Sequence, residues 1–399
     1  MVRLEDIRLA AERIRGSVHR TELRRSATLS QWAGCELFLK HENRQRTGSF
    51  KIRGALNRIS LLSDDERAAG VVAASAGNHA QGVALAARLS GVPATVYMPI
   101  EASLVKVDAT RGYGATVELV GGAFEESLQA CMEAAASGKT LVHPFDDEAI
   151  IAGQGTVGLE LLEDVPDLDT VVVPLGGGGL ISGIAVAIKE QRPQVRIVGV
   201  ETADYAPYAR PAQPVESRDG HPPETIADGI AVKRPGEITL PLIRRYVDEV
   251  VTVRDEDTGQ AIVDLLEREK TVVEGAGAVG VAAALTGRVT GGRMAVVLSG
   301  GNIDTPRLMQ VIRYGLTHAG RYLMLRTRLS DRPGELMELL RVIAAEHVNV
   351  LLVQHQREGI DVSLAETGLE LTVETRGEEH ALELIEMLRE RGYPITRVQ

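Results

Sequence analysis

The chain of 399 residues has only seven lysines: Lys40, Lys51, Lys106, Lys139, Lys189, Lys233 and Lys270. Most stand in charged or turn-like settings that suit solvent exposure. Lys51 differs. It lies in TGSFKIRGA, directly after Phe50, and opens the helical pattern IRGALNRISLL. On the first turn of a helix the macrodipole disfavours a cation, and burial beside a phenylalanine acts in the same direction. Both effects favour the neutral amine that Schiff-base chemistry needs. Taken alone, the segment leaves an ordinary surface lysine open.

Two glycine-rich segments bear on that choice. VPLGGGGLISG (173–183) reads as a strand, then Gly176, Gly177, Gly178 and Gly179, then a helix beginning near Leu180. Four glycines admit close approach of a phosphate, and a helix N-terminus supplies aimed N–H groups. The Gly-Lys-Ser/Thr of a nucleoside-triphosphate loop does not follow. EGAGAVG (274–280) satisfies G-x-G-x-x-G, but the next strand, AVVLSGGN, ends on Ser299 with no carboxylate before Asp304. A dinucleotide site needs an acidic residue there, so these glycines are read as close helix packing.

These pieces need elements to hold them. From about residue 70 to 316, short apolar runs (VVAAS, ATVYMP, TVELV, TLVH, TVVVPLG, RIVGVE, EVVTV, MAVVLSGG) alternate with helical patterns. This is the signature of parallel sheets covered by helices, whose sites collect at the carboxyl ends of the strands. After about residue 319 the pattern becomes β-α-β-β-α-β, the ferredoxin-like order, without a titratable cluster or glycine-rich loop. The expected division is a catalytic part over 1–319, with a smaller subdomain at about 50–150, and a binding module over 320–399. The formal charge of −11 disfavours nucleic acid and anionic membrane surfaces as partners. No apolar run approaches the roughly 18 residues of a membrane span. Two cysteines, Cys35 and Cys131, provide no disulfide or metal framework, and the reading is cytoplasmic.

Together, TGSFKIRGA, SAGNHAQG (75–82), GGGGL (176–180) and SGGN (299–302), in this order, resemble the threonine/serine dehydratase family. This is the tryptophan-synthase-β-like, fold type II class of pyridoxal-phosphate enzymes. The tail, with DRPGEL (331–336), resembles an ACT domain. The resemblance implies pyridoxal 5′-phosphate held by Lys51, which also shuttles the Cα proton. Phe50 would pack beside the cofactor and Asn78 would hydrogen-bond its 3′-oxygen. Gly176, Gly177, Gly178, Gly179 and Leu180 would bind the phosphate, and Ser299 would face the pyridine nitrogen. Ser75, Ala76, Gly77, Asn78 and His79 would hold the substrate carboxylate, although a structural role for His79 stays open.

A serine hydroxyl is too weak an acid to protonate the ring, which favours β-elimination over transamination. The implied activity is threonine ammonia-lyase chemistry, from L-threonine to 2-oxobutanoate and ammonia, with L-serine as a second substrate. The racemases of the family carry a serine where this chain has Ala76, which has no proton to give. A serine-specific dehydratase, a β-replacement enzyme and a regulator without catalysis are the other readings. The family's divalent-metal site pairs a Glu with an Asp six residues on. Glu201 is present, but Pro207 occupies the second position and no metal is expected. The tail's resemblance implies feedback by isoleucine or valine, with Gly334 and Asn349 as effector residues, and a homodimer or homotetramer.

Overall fold

The computed structural model describes residues 1–211, 215, 223–356 and 365–398. It divides into two compact units, Met1–Asp304 and Thr305–Gln399.

The first unit holds strands β1 (Leu23–Arg25), β2 (Glu36–Lys40), β3 (Val71–Ala74), β4 (Ala94–Met98), β5 (Thr116–Leu119), β6 (Thr140–Leu141), β7 (Thr170–Pro174), β8 (Arg196–Thr202), β9 (Glu249–Val253) and β10 (Arg293–Val297). Its helices are α1 (Leu4–Ile14), α2 (Ala27–Ala33), α3 (Lys51–Ser60), α4 (Asp64–Ala69), α5 (Asn78–Ser90), α6 (Leu104–Gly112), α7 (Phe124–Ala136), α8 (Glu148–Asp164), α9 (Gly179–Lys189), α10 (Thr239–Tyr246), α11 (Asp255–Glu269) and α12 (Gly275–Leu285). A six-stranded sheet runs β1-β2-β10-β7-β8-β9, and a four-stranded sheet runs β5-β4-β3-β6. Every pairing is parallel except β1 with β2. β3 (VVAA) and β7 (TVVVP) are buried at every residue, as strands covered by helices on both faces must be. This is the expected α/β class with two sheets of mainly parallel strands. β1 and β2 precede the strand-helix alternation that starts near residue 70 in the sequence.

Lys40 departs from the exposure expected of most of the lysines: it is 0% exposed and bonds Glu160 at 2.6 Å and the Thr21 carbonyl at 2.7 Å. Arg53, 1% exposed, bonds Glu42 and Glu160 beside it. Paired in this way, the cations escape the penalty of an isolated buried charge.

α8 lies between α3 and α9, and glycines make both contacts. A Cβ on Gly153 would stand 2.6 Å from the Arg53 carbonyl oxygen and from Gly54 Cα. On Gly155 it would stand 2.8 Å from the Gly183 carbonyl oxygen, and on Gly158 2.9 Å from Ala187 Cβ. The three helices therefore meet backbone to backbone. The helix that opens on Lys51 and the helix that opens on the four glycines are spaced by this seam.

The second unit contains α13 (Thr305–His318), β11 (Tyr322–Ser330), α14 (Glu335–Ala345), β12 (Asn349–Gln356), β13 (Glu366–Glu374), α15 (Glu378–Glu390) and β14 (Thr396–Val398). From β11 onward the order is β-α-β-β-α-β. The strands form an antiparallel sheet in the order β12-β13-β11-β14. β11 and β13 alternate buried and outward residues, and Leu325, Leu339, Leu371 and Leu388 form part of a separate core. One face of this sheet is packed and the other is not. No helix among the described residues is long and apolar enough to cross a membrane.

Candidate active site

A cavity of about 860 Å³ opens at the carboxyl ends of β3, β7 and β10. Phe50, Lys51, Ser75–His79, Gly176–Leu180 and Ser299 all line it. The sequence motifs, widely separated along the chain, thus converge on one space.

Lys51 is the first residue of α3. Its Nζ donates to the Pro144 carbonyl at 2.7 Å and lies 5.2 Å from the centroid of the Phe50 ring. Burial pushes its pKa down to about 8, against an opposing attraction from Glu274. A lysine with an ordinary pKa near 10.4 is almost wholly charged at neutral pH, so the depression enriches the free amine on the order of a hundredfold.

The four glycines follow β7 and lead into α9. Gly178 has φ +90°, in the left-handed region. A Cβ there would lie 2.7 Å from Ile243 Cδ1 and 2.8 Å from the Tyr208 hydroxyl, and one on Gly177 would overlap the Phe145 ring. The Gly177 carbonyl accepts from Tyr208 and Thr239 hydroxyls at 3.2 and 2.9 Å. The first N–H groups of α9 have no intrahelical acceptor, so this turn can receive an anion and cannot receive side chains.

Ser75, Ala76 and Gly77 connect β3 to α5, with Gly77 at the N-cap, and the Gly77 N–H donates to Ser75 Oγ at 3.2 Å. Asn78 opens the helix. His79 is 4% exposed and its Nε2–H donates to the Val142 carbonyl at 2.8 Å. Burial, with Lys51 nearby, pushes its pKa down to about 3, so the ring is neutral and its bond is structural. Ser299, 3% exposed, follows β10, and its carbonyl accepts from the Phe50 N–H at 3.1 Å. Its hydroxyl makes one long bond, 3.5 Å, to the Ala276 carbonyl.

Gly334 and Asn349 lie in the second unit, outside this cavity. Gly334 caps α14 at φ +101°, and Asn349 opens β12 and reaches Glu374 at 3.5 Å. Glu201 is fully buried, and its carboxylate accepts the Tyr208 and Ala209 N–H groups at 3.1 and 2.8 Å.

The site also contains residues outside the roles that the family resemblance implies. Glu274 and Asn302 both bond Asn78, while Lys106 and Asp228 line the wall. Glu274 stood inside EGAGAVG and Asn302 inside SGGN. A carboxylate breaking into an otherwise apolar glycine run was the available signal. The glycines after it do pack closely: a Cβ on Gly277 would lie 2.6 Å from the Gly300 carbonyl oxygen, and one on Gly280 would lie 2.6 Å from Val296 Cγ1.

These residues fit pyridoxal phosphate. Lys51 offers an amine of depressed pKa, the glycine turn accepts a phosphate but no Cβ, and Ser299 offers an uncharged partner for a ring nitrogen.

A sequence model of the family described as "Pyridoxal-phosphate dependent enzyme" matches residues 14–300. The L-threonine ammonia-lyase of Thermotoga maritima is 49% identical over the full length of both chains. Among solved structures, the processed form of threonine deaminase isoform 2 from Solanum lycopersicum is 34% identical with a TM-score of 0.71, covering 78% of this chain and 86% of that one. Maize serine racemase is 38% identical with a TM-score of 0.72, covering 79% and 98%. The chain belongs to the family of pyridoxal-phosphate dependent enzymes.

Proposed function

We propose that this protein is an L-threonine ammonia-lyase, converting L-threonine to 2-oxobutanoate and ammonia and acting also on L-serine. The observation that carries the reading is the buried, readily neutralised Lys51 amine in one cavity with the four-glycine turn and an uncharged Ser299. The full-length likeness to an enzyme of that name supports the choice of substrate.

Bound there, pyridoxal phosphate supplies a carbonyl carbon for the substrate's amino group and a conjugated ring that spreads the charge left when the Cα–H bond breaks. Gly176–Leu180 hold the phosphate through backbone N–H groups at the start of α9. Phe50 would pack against the ring, Asn78 would donate to the phenolic oxygen, and Ser299 would face the pyridine nitrogen without giving it a proton. The N–H groups of the Ser75–Asn78 segment, at the start of α5, hold the substrate carboxylate. Lys51, as a free amine, takes the Cα proton. The proton that Lys51 takes from Cα balances the one the β-hydroxyl needs to leave as water, and the released enamine takes up water to give the 2-oxo acid and ammonia. Ala76 has no proton to give where the racemases of the family carry a serine, which favours elimination over the racemisation named for the maize relative.

The second unit reads as an ACT-type regulatory module binding isoleucine or valine near Gly334 and Asn349. The β-α-β-β-α-β order supports this reading. So does β12, an edge strand exposing Leu351, Leu352 and Val353, a surface suited to pairing in a homodimer or homotetramer. Two free cysteines suit the reducing cytoplasm.

The test is 2-oxo acid release from L-threonine by the cofactor-loaded protein and by Lys51→Ala, each with and without isoleucine. The native protein should turn over, the variant should fall to background, and isoleucine should suppress the native rate. A loaded native protein that releases no oxo acid from threonine or serine overturns the assignment. Turnover indifferent to isoleucine and valine removes the regulatory part alone.

A further inference from the structure

Glu274 is a buried carboxylate in the cavity wall with no task in the elimination itself. It stands at the N-cap of α12, 6% exposed, and its Oε1 accepts the Asn78 Nδ2–H at 2.6 Å. Asn78 is held at its other end as well. Asn302 Nδ2 donates to Asn78 Oδ1 at 2.7 Å and to the Thr47 carbonyl at 2.8 Å.

This chain of bonds has only one consistent orientation. Turning the Asn78 amide over would set its oxygen against the Glu274 oxygen and its NH2 against the NH2 of Asn302. One of the two Asn78 N–H groups is therefore committed to Glu274, and the second is left for a ligand. The fit is close: a Cβ on Gly300, next to Ser299, would collide with Glu274 Oε1.

The charges facing Glu274 are Lys51 from α3, Lys106 from α6, and Asp228 from the short turn Asp228–Ile230. Lys106 is itself shared with Asp304 at 3.4 Å and Asp228 at 3.9 Å. His79, on α5, is neutral across the working range. Burial, then Asp228, pushes the Glu274 carboxyl up to about 7. The group thus changes charge where an enzyme of neutral pH operates.

We propose that Glu274 is the positioning residue of this site: it fixes the free N–H of Asn78 on the cofactor's phenolic oxygen and, by its own ionisation, sets the proton affinity of that oxygen. The inference rests on the reading of Asn78 as the partner of that oxygen. An ionised Glu274 puts a negative charge one amide away from the phenolic oxygen, and a protonated one does not. Cofactor absorbance and turnover therefore follow the same titration.

The test is the absorbance of the bound cofactor, titrated from about pH 5.5 to 9, in native holoenzyme, Glu274→Gln, Glu274→Asp and Asn78→Ala, with kcat/KM measured alongside. Native enzyme should show a spectral transition centred near pH 7, matched by the acid limb of kcat/KM. Glu274→Gln still accepts the Asn78 N–H but has no proton to lose, so the transition should vanish. Glu274→Asp should restore one with a displaced midpoint. A Glu274→Gln holoenzyme that keeps the native midpoint overturns the inference. Asn78→Ala with an unaltered spectrum overturns the underlying placement of Asn78, a distinguishable failure because it does not depend on Glu274.

Discussion

Arg53 lies two residues beyond Lys51, and removing its charge tests how α3 is held. Its Nε and Nη2 donate to Glu42 at 2.8 Å each, and its Nη1 and Nη2 donate to Glu160 at 2.7 and 3.0 Å. In Arg53→Met the two carboxylates fare differently. Glu160 keeps Lys40 at 2.6 Å, whereas Glu42, 0% exposed, keeps among the described residues only the Thr21 hydroxyl at 2.5 Å as a direct bond. Breaking a buried pair from one side costs about 3–5 kcal/mol, nearly all of it here through Glu42.

The pH dependence supplies the sign. Burial alone would raise the Glu42 pKa, but Arg53, by charge and hydrogen bonds, holds it below the ordinary value. A depressed carboxyl contributes stability above its unfolded pKa of about 4.5 and loses it as pH falls. Without Arg53 burial dominates and the pKa rises, so the carboxyl stabilises at low pH and that contribution is lost as pH increases. Urea unfolding of the native protein and Arg53→Met should therefore differ more at pH 8 than at pH 5, with the m-value unchanged. Arg53→Met/Glu42→Gln should recover about half of the loss at pH 8. A penalty below about 1 kcal/mol, or one flat in pH, would refute the argument that a coupled buried pair anchors the lysine helix.

Gly177→Ala should weaken cofactor binding about 10- to 100-fold, since its Cβ overlaps the Phe145 ring and such overpacking costs roughly 1–3 kcal/mol; fluorescence titration with pyridoxal phosphate measures it, and native affinity would show that the cradle yields. Lys51 in cofactor-free protein should acylate with a half-maximal rate near pH 8, read by peptide mass spectrometry and protected by cofactor; a midpoint near that of exposed lysines would contradict its burial.

The sequence disclosed the part of the site in which residue type and local spacing carry the chemistry. Lys51 beside Phe50, the Gly176–Gly179 run and the glycine loop ahead of Asn78 are each contiguous. The alternation from residue 70 onward gave the sheets, because strands covered on both faces are uniformly apolar. Partnerships across the chain stayed hidden. Glu274 meets Asn78 across 196 residues and Arg53 meets Glu160 across 107, and neither pairing has a periodic trace. Lys40 looked exposed because it borders His41, Glu42 and Arg44, yet it lies at the end of an interior strand. β1 escaped because it is short and antiparallel, outside the strand-helix rhythm, and β2 because it pairs with β10, 257 residues on.

The glycine seam through α8 acts as a ruler. Helices separated by side chains can drift by an ångström or so as those side chains change rotamer or are replaced in compensating pairs. Gly153 on Arg53 and Gly54, and Gly155 on Gly183, leave no such compliant layer. The span from the start of α3 to the glycine turn is therefore set largely by the thickness of peptide backbone, which side-chain repacking does not shorten. A cofactor analogue with one extra methylene between ring and phosphate asks for a longer span. The sequence changes that would admit it must come from the turn itself, since the ruler offers none.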